Sequence, residues 1–404
     1  MTQLRRVRLI ACQGSIQLIA AWAALRAASC EASPRSSSEW DNVLVLYGLY
    51  AGAGQEREFV DAIRELAEVL FPNCRVVHVD AQTVKRWRRL VVLGGVAFVV
   101  KELRRRLGVG RVEEVYAGRN WQFENRLLLN SFPENKAICY GDALGVYFSE
   151  DNPYLTISSN SQELKGAQAK FKAAVKEWWL MRERCALPLV DFVQGYYLRP
   201  TAFGEIPPGR YTTVPAKRYA MAFERLVNLL TDEMLDEVVQ RSTSSRVMFL
   251  LTSNFSEAGR MTRADELSAY DEFVNSHAVD MQPCALVLKP HPRDDRGKIL
   301  ALKKRLSQGG MQVYVMDEPK LFYMPFEVIF AALLHRGLSS HKLTILAVSA
   351  AGLPLSWLFG VRCEIGFGRE ILEKYYPSSQ ILERADHENY LVGALKNPDP
   401  DRLG

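Results

Sequence analysis

The most unusual chemistry-bearing stretch in this chain is Lys289-Pro290-His291-Pro292-Arg293, which follows directly on an apolar run. Two prolines stiffen the backbone around one histidine and hold its imidazole in place. A protonated imidazole suits a phosphate oxygen, and Lys289 and Arg293 would reinforce an anionic site. A rigid surface turn with an incidental histidine is the alternative. A second stretch, Tyr140-Gly141-Asp142-Ala143-Leu144-Gly145, sets a carboxylate among glycines where a strand should end. Such a carboxylate can approach a ligand closely and serve as a general base, or it can simply cap a turn. A third, Val348-Ser349-Ala350-Ala351-Gly352, has the small residues that expose backbone N–H groups and a hydroxyl at a helix start, a ready anion site. Glu327, after Pro325-Phe326, could take two ribose hydroxyls or merely complement a helix N-terminus. Ser253 and Asn254, after another apolar run, could touch phosphate or cap the next segment.

These loops need elements to position them, and strand and helix signals alternate throughout. Strands are expected at Val7–Cys12, Val43–Tyr47, Arg75–Val79, Val112–Tyr116 and Lys136–Tyr140, with helices at Ile16–Arg26, Glu56–Phe71, Val91–Leu107 and Glu124–Phe132. A helix over 162–184 and a proline-rich stretch, read as a linker over 191–215, end this half. A long helix, Ala216–Arg241, opens the second half. Strands at Val247–Leu251, Ala285–Lys289, Gln312–Met316, Leu343–Val348 and Arg362–Ile365 follow, with helices between them. Alternation of this kind predicts α/β architecture with parallel sheets and crossover helices: two Rossmann-like domains facing a cleft, with ligands at the carboxyl ends of strands. The expected domains are 1–190 and 216–375, with 376–404 packing back on the first.

Composition narrows the function. The chain has 404 residues, 48% of them hydrophobic and 24% charged, which is enough for two packed cores. Disorder is expected only near the ends and around residues 29–41. A net charge of +5 is too small for a nucleic-acid binder. Cys12, Cys30, Cys74, Cys139, Cys185, Cys284 and Cys363 are odd in number, scattered and never C-x-x-C, which fits a reducing compartment and neither a disulfide framework nor a zinc site. The histidines lack ligand spacing, so no metal is expected. Arg5, Arg6 and Arg8 precede an apolar stretch, but Gln13, Gln17 and Arg26 interrupt it, and a folded strand and helix are expected rather than a signal peptide. No stretch is long and apolar enough to span a membrane. The basic stretch from Lys85 to Arg111 reads as a solvated helix face, or as a dock for anionic lipid or anionic glycan.

At these loops the sequence resembles the bacterial sialyltransferases, particularly their polysialyltransferase-like group. That family carries an acidic motif in its N-terminal domain, and a His-Pro motif and a Ser/Thr pair in its C-terminal domain. His291-Pro292 matches the His-Pro motif, Asp142 stands at the acidic motif and Ser349 at the hydroxyl motif. Gly141 and Ala350 occupy positions where the family usually has an acid and a hydroxyl. The opening Gly14-Ser15-Ile16-Gln17 looks like the family's first strand–helix unit.

The resemblance implies a GT-B-like, inverting, metal-independent enzyme that uses CMP-sialic acid and no cofactor. Asp142 would act as base and His291 at the leaving phosphate. Ser349, Pro292, Lys289, Glu327, Ser253 and Asn254 would hold the donor, and Gly14, Ser15 and Asn120 would lie on the acceptor side. The acceptor would be a glycan or glycolipid, and the location the cytoplasm, with peripheral association at the inner face of the plasma membrane. A CMP-Kdo, UDP- or GDP-sugar donor is the alternative within the class. A non-catalytic glycan- or nucleotide-binding homologue is the alternative outside it.

Overall fold

The computed structural model describes residues 6–31, 40–49, 51–52, 54–142, 144–150, 167–278, 284–339 and 343–396. The expected disorder around 29–41 falls largely on residues 32–39, outside the described residues, as do Arg5, Ala143 and the first turn of the helix expected from 162. The chain forms two compact units: the described residues within 1–50, 63–150 and 161–218, and those within 51–62 and 219–404.

In the first unit, seven parallel strands run in the order β3-β2-β1-β4-β5-β6-β7. They are β1 (Arg6–Cys12), β2 (Trp40–Leu46), β3 (Arg75–His78), β4 (Glu114–Ala117), β5 (Lys136–Cys139), β6 (Gln194–Tyr197) and β7 (Arg210–Thr213). β1 and β2 end in unbroken buried runs, as strands covered on both faces must. The helices are α1 (Ser15–Glu31), α3 (Ala81–Val92), α4 (Val96–Leu107), α5 (Phe123–Ser131) and α6 (Ala167–Ala186), together with the part of α2 (Glu56–Leu70) from residue 63 on, its first seven residues being grouped with the second unit. One core packs Trp87, Val91, Leu103, Leu107 and Leu127 against Leu9, Ala11, Val43, Val45 and Val115 of the strands. The order reverses between β1 and β4, and the crevice beyond the carboxyl ends of these strands is where such sheets bind ligands.

Two expectations change here. The stretch 191–215 is not a linker: it contains β6 and β7, which pair in parallel with β5 and with each other. The helix expected over Val91–Leu107 starts at Val96 as α4, because Gly94 turns the chain with φ +94°, and Val91 and Val92 instead end α3, which begins at Ala81. Asp80 caps α3, its carboxylate accepting from Thr83 N at 2.8 Å, and Gly108 closes α4 in the left-handed region.

α7 (Ala216–Val227) carries the chain from the first set of residues to the second, and α8 (Glu233–Ser244), capped by Asp232, completes what reads in sequence as one long helix. The second sheet is again parallel, ordered β10-β9-β8-β11-β12. Its strands are β8 (Arg246–Leu251), β9 (Cys284–Lys289), β10 (Gln312–Val315), β11 (Leu343–Ala347) and β12 (Cys363–Ile365). α9 (Arg263–Ala278), α10 (Arg296–Gln308), α11 (Pro319–Tyr323), α12 (Phe326–His335), α13 (Gly352–Phe359), α14 (Arg369–Tyr375) and α15 (Ile381–Lys396) surround it. α15 is grouped with this unit. Its buried Arg384 donates to Val348 O at 2.6 Å, and Glu388 accepts from Gly368 N at 2.9 Å.

Candidate functional site

In the first unit, polar side chains gather at the carboxyl ends of β1, β4 and β5. β1 runs into Gln13-Gly14-Ser15, and the first turn of α1 projects Gln17 inward; all three of Gln13, Ser15 and Gln17 are buried. Gln17 Nε2 donates to Asp142 Oδ1 at 2.7 Å, and Arg119, just past β4, donates to Asp142 Oδ2. Asp142 is fixed by its backbone too, exchanging two 2.8 Å hydrogen bonds with Val146. The turn between them needs Gly141: its φ is +77°, and a Cβ there would lie 2.7 Å from Gly145 Cα. Close packing therefore accounts for a glycine at position 141. Asp142 accepts one side-chain bond on each oxygen, and a carboxylate has about four acceptor sites, so capacity remains for an incoming hydroxyl.

Asn120 is committed elsewhere, its Nδ2 donating to Val190 O at 3.1 Å. Glu124 was not singled out by sequence reasoning. It lies in the first turn of α5, half-buried, beside Gln13 and the bare Cα of Gly48. Burial pushes its carboxyl pKa above the usual range, against its own backbone N–H and the charge of Arg88. Gln13, Gln17 and Arg119 were also missed as site residues; only the position of Gln13 and Gln17 directly after an apolar strand could have marked them.

In the second unit the Pro-His-Pro turn leaves the end of β9. His291 N donates to Thr252 Oγ1 at 3.1 Å and to Asp294 Oδ2 at 2.8 Å. Arg293 N donates to His291 Nδ1 at 3.1 Å. With Nδ1 accepting, the neutral ring carries its proton on Nε2, and no described residue pairs with that N–H. Burial, then the charges of Arg293, Lys289 and Lys298, push the His291 pKa down to about 3. The protonated imidazole expected from sequence is therefore replaced, in the free protein, by a neutral N–H donor.

Beneath this turn lies a charged knot. Lys298 Nζ donates to Asp294 Oδ1 and Glu266 Oε1, both at 2.8 Å, to Glu257 Oε2 at 2.9 Å and to Ser253 O at 3.1 Å. Asp294 and Glu266 are fully buried. Three carboxylates this close resemble a cation site, and the cation is the lysine's own ammonium. Burial lifts Asp294 to about 6 against the pull of Lys298, Thr252 and His291 N.

The other expected donor residues separate into two groups. Lys289 is buried and donates to Pro290 O at 3.1 Å and Phe322 O at 2.6 Å, so it braces the turn against α11 and does not offer its ammonium to a ligand. Its pKa falls to about 7 through burial, resisted by Asp294 and Glu327. Pro292 contributes rigidity, and its carbonyl accepts from Gly52 N at 3.2 Å. Ser253 is held through its backbone, its N–H donating to Tyr270 Oη at 2.6 Å, while the Ser253 hydroxyl and Asn254 amide make no hydrogen bond to described residues. Ser349 Oγ accepts only a long 3.4 Å bond from Ala351 N, beside α13. Glu327 is buried, and burial lifts its pKa to about 7 despite Lys289.

Acidification gives a direct check on His291. Unfolded, it titrates near 6.5; folded, near 3. The unfolded chain thus binds more protons in between, and stability present above about pH 6.5 is lost as pH falls toward 3. Asp294 and Glu327, with raised pKa values, act in the opposite direction, so the difference between wild type and His291→Asn is the readout. Urea denaturation should show the wild type losing about 1–2 kcal/mol relative to the variant between pH 7 and pH 5. Parallel pH curves would contradict this.

Two consecutive Rossmann-like units, each with its polar loops at the carboxyl ends of parallel strands, define a GT-B-type α/β protein. The same architecture is found in the S. aureus MnaA–UDP co-structure (TM-score 0.52, 9% identity, covering 99% of this chain and 92% of that one). It is also found in a Listeria monocytogenes protein assigned as a UDP-N-acetylglucosamine 2-epimerase (TM-score 0.50, 10% identity, 98% and 93% covered). No curated protein matches the chain significantly.

The chain belongs to the alpha-2,8-polysialyltransferase (POLYST) family, whose model matches residues 118–332, more than half its length. Asp142 and His291 both fall within the match. Membership makes the protein a glycosyltransferase, an enzyme that moves a sugar from a nucleotide-sugar donor to a glycan acceptor and releases the nucleotide. No described helix is long and apolar enough to cross a membrane.

Proposed function

We propose that this protein transfers sialic acid from CMP-sialic acid to a glycan or glycolipid acceptor, with inversion and without a metal. The observation that carries the reading is the His291 Nε2–H, fixed on a Pro-His-Pro turn at the end of β9 and unpaired among the described residues. It offers a hydrogen bond to a phosphate oxygen as charge builds there in the transition state. Ser349, Ser253 and Asn254, with unspent polar groups on the neighbouring strand ends, join it as donor ligands. Glu327 is assigned the ribose hydroxyls.

In the reaction the acceptor oxygen forms a bond to the anomeric carbon, and the bond from that carbon to the phosphate oxygen breaks. CMP leaves with the electron pair. Asp142 takes the acceptor's proton, with Arg119 and Gln17 fixing the carboxylate's orientation.

A thermal-shift panel of CMP, UDP and GDP without added metal tests the donor. CMP at about 100 times its dissociation constant should stabilise by roughly 2.7 kcal/mol, a shift of about 5 °C or more. Stabilisation by UDP or GDP alone would transfer the reading to another nucleotide sugar. No stabilisation by any nucleotide would leave a non-catalytic homologue.

A further inference from the structure

The basic stretch of the first unit resolves into two populations. Four of its arginines are spent internally. Arg86 and Arg106 pair with Glu102, Arg88 pairs with Glu183 at 2.5 Å, and Arg104 Nε donates to Ser131 O at 2.7 Å. Of the other five cations, Arg111 lies past α4, where its charge acts on Glu113, and Lys85, Arg89, Lys101 and Arg105 are exposed and have no ion-pair partner among the described residues. They are not scattered. On α3, Lys85 and Arg89 follow at i and i+4, with Leu93 four residues on at the helix's C-cap; on α4, Phe98, Lys101 and Arg105 follow at i, i+3 and i+7. Each row therefore lies on one helix face. Both rows end in a large apolar residue at the Gly94-Gly95 bend, with Leu93 72% and Phe98 61% exposed.

We propose that the α3–α4 hairpin docks on an anionic lipid bilayer, with Leu93 and Phe98 entering the interface and the four unpaired cations resting on headgroups. A soluble polyanion would satisfy the cations equally well, but it has nothing to offer two protruding apolar side chains. A bilayer satisfies both at once, because apolar burial and headgroup attraction add. The inference does not depend on the donor reading.

Co-sedimentation of the full chain with phosphatidylcholine vesicles, with and without phosphatidylglycerol, tests it. Binding is expected only to the anionic vesicles and should weaken with salt. Lys101→Gln and Arg105→Gln should each lower partition roughly fivefold. The Leu93→Ser/Phe98→Ser pair should lower it further at unchanged net charge. The thermal midpoint of each variant, which needs no nucleotide, checks folding. Equal binding to neutral vesicles, or no binding to either, would overturn the proposal. So would retention by soluble polysialic acid that the Leu93→Ser/Phe98→Ser pair leaves unchanged while vesicle binding is absent; that result would make the surface an anionic-glycan dock.

Discussion

Lys298→Met is expected to destabilise the second unit by about 3–5 kcal/mol, the usual cost of breaking a buried ion pair from one side. Lys298 sits among four oxygens at 2.8 to 3.1 Å, and two of the three carboxylates, Asp294 and Glu266, have no solvent to fall back on. Methionine keeps the length and removes the charge, leaving those carboxylates uncompensated. Since Asp294 Oδ2 also holds His291 N, the Pro-His-Pro turn should loosen with the knot. In a melt this is a loss on the order of 10 °C. Adding Glu266→Gln should recover part of it, because one uncompensated charge is then removed. A change within about 0.5 kcal/mol, the scale of an ordinary surface substitution, would show that the knot does not hold the turn.

Asp142→Asn is expected to lower kcat by about 10²- to 10⁴-fold, the span of a lost general base, while CMP affinity stays within about twofold. Asparagine retains an acceptor for Gln17 or Arg119 and the backbone exchange with Val146, so the loop should persist. Glu124→Gln is the informative companion, since Glu124 is the other carboxylate at this strand edge and its proton affinity is raised. If Glu124→Gln abolished turnover and Asp142→Asn did not, the base would be Glu124 and Asp142 an anchor for Arg119. Steady-state kinetics with CMP-sialic acid and an oligosaccharide acceptor distinguish the two.

Much of this architecture is legible in sequence where strands are buried on both faces. β8, β9 and β11 read as compact apolar runs because helices cover them on each side. β6 and β7 escape notice for the opposite reason. Each is four residues long, β7 is largely exposed at the sheet edge, and prolines and glycines surround both. The helix expected over Val91–Leu107 joins the last two residues of α3 to α4 because the apolar pattern continues through Gly94-Gly95, and the basic run Lys85–Arg89 hides the rest of α3.

Site residues divide along similar lines. A proline-bracketed histidine and a carboxylate between glycines are local signals, and both are found at strand ends. Lys298, Asp294, Glu266 and Thr252 are joined by contacts spanning up to 42 residues, which no local spacing discloses. Nor could spacing tell that Lys289 spends its ammonium on Pro290 and Phe322 carbonyls, or that burial keeps His291 neutral.

Calorimetry of CMP binding to the wild type and to His291→Ala, without added metal, tests the central claim most directly. Saturable binding by the wild type, weakened at least tenfold (about 1.4 kcal/mol) in a His291→Ala protein with an unchanged melting midpoint, is the predicted result. Equal CMP affinity in the two proteins, or none in either, would contradict the assignment of His291 to a cytidylate phosphate.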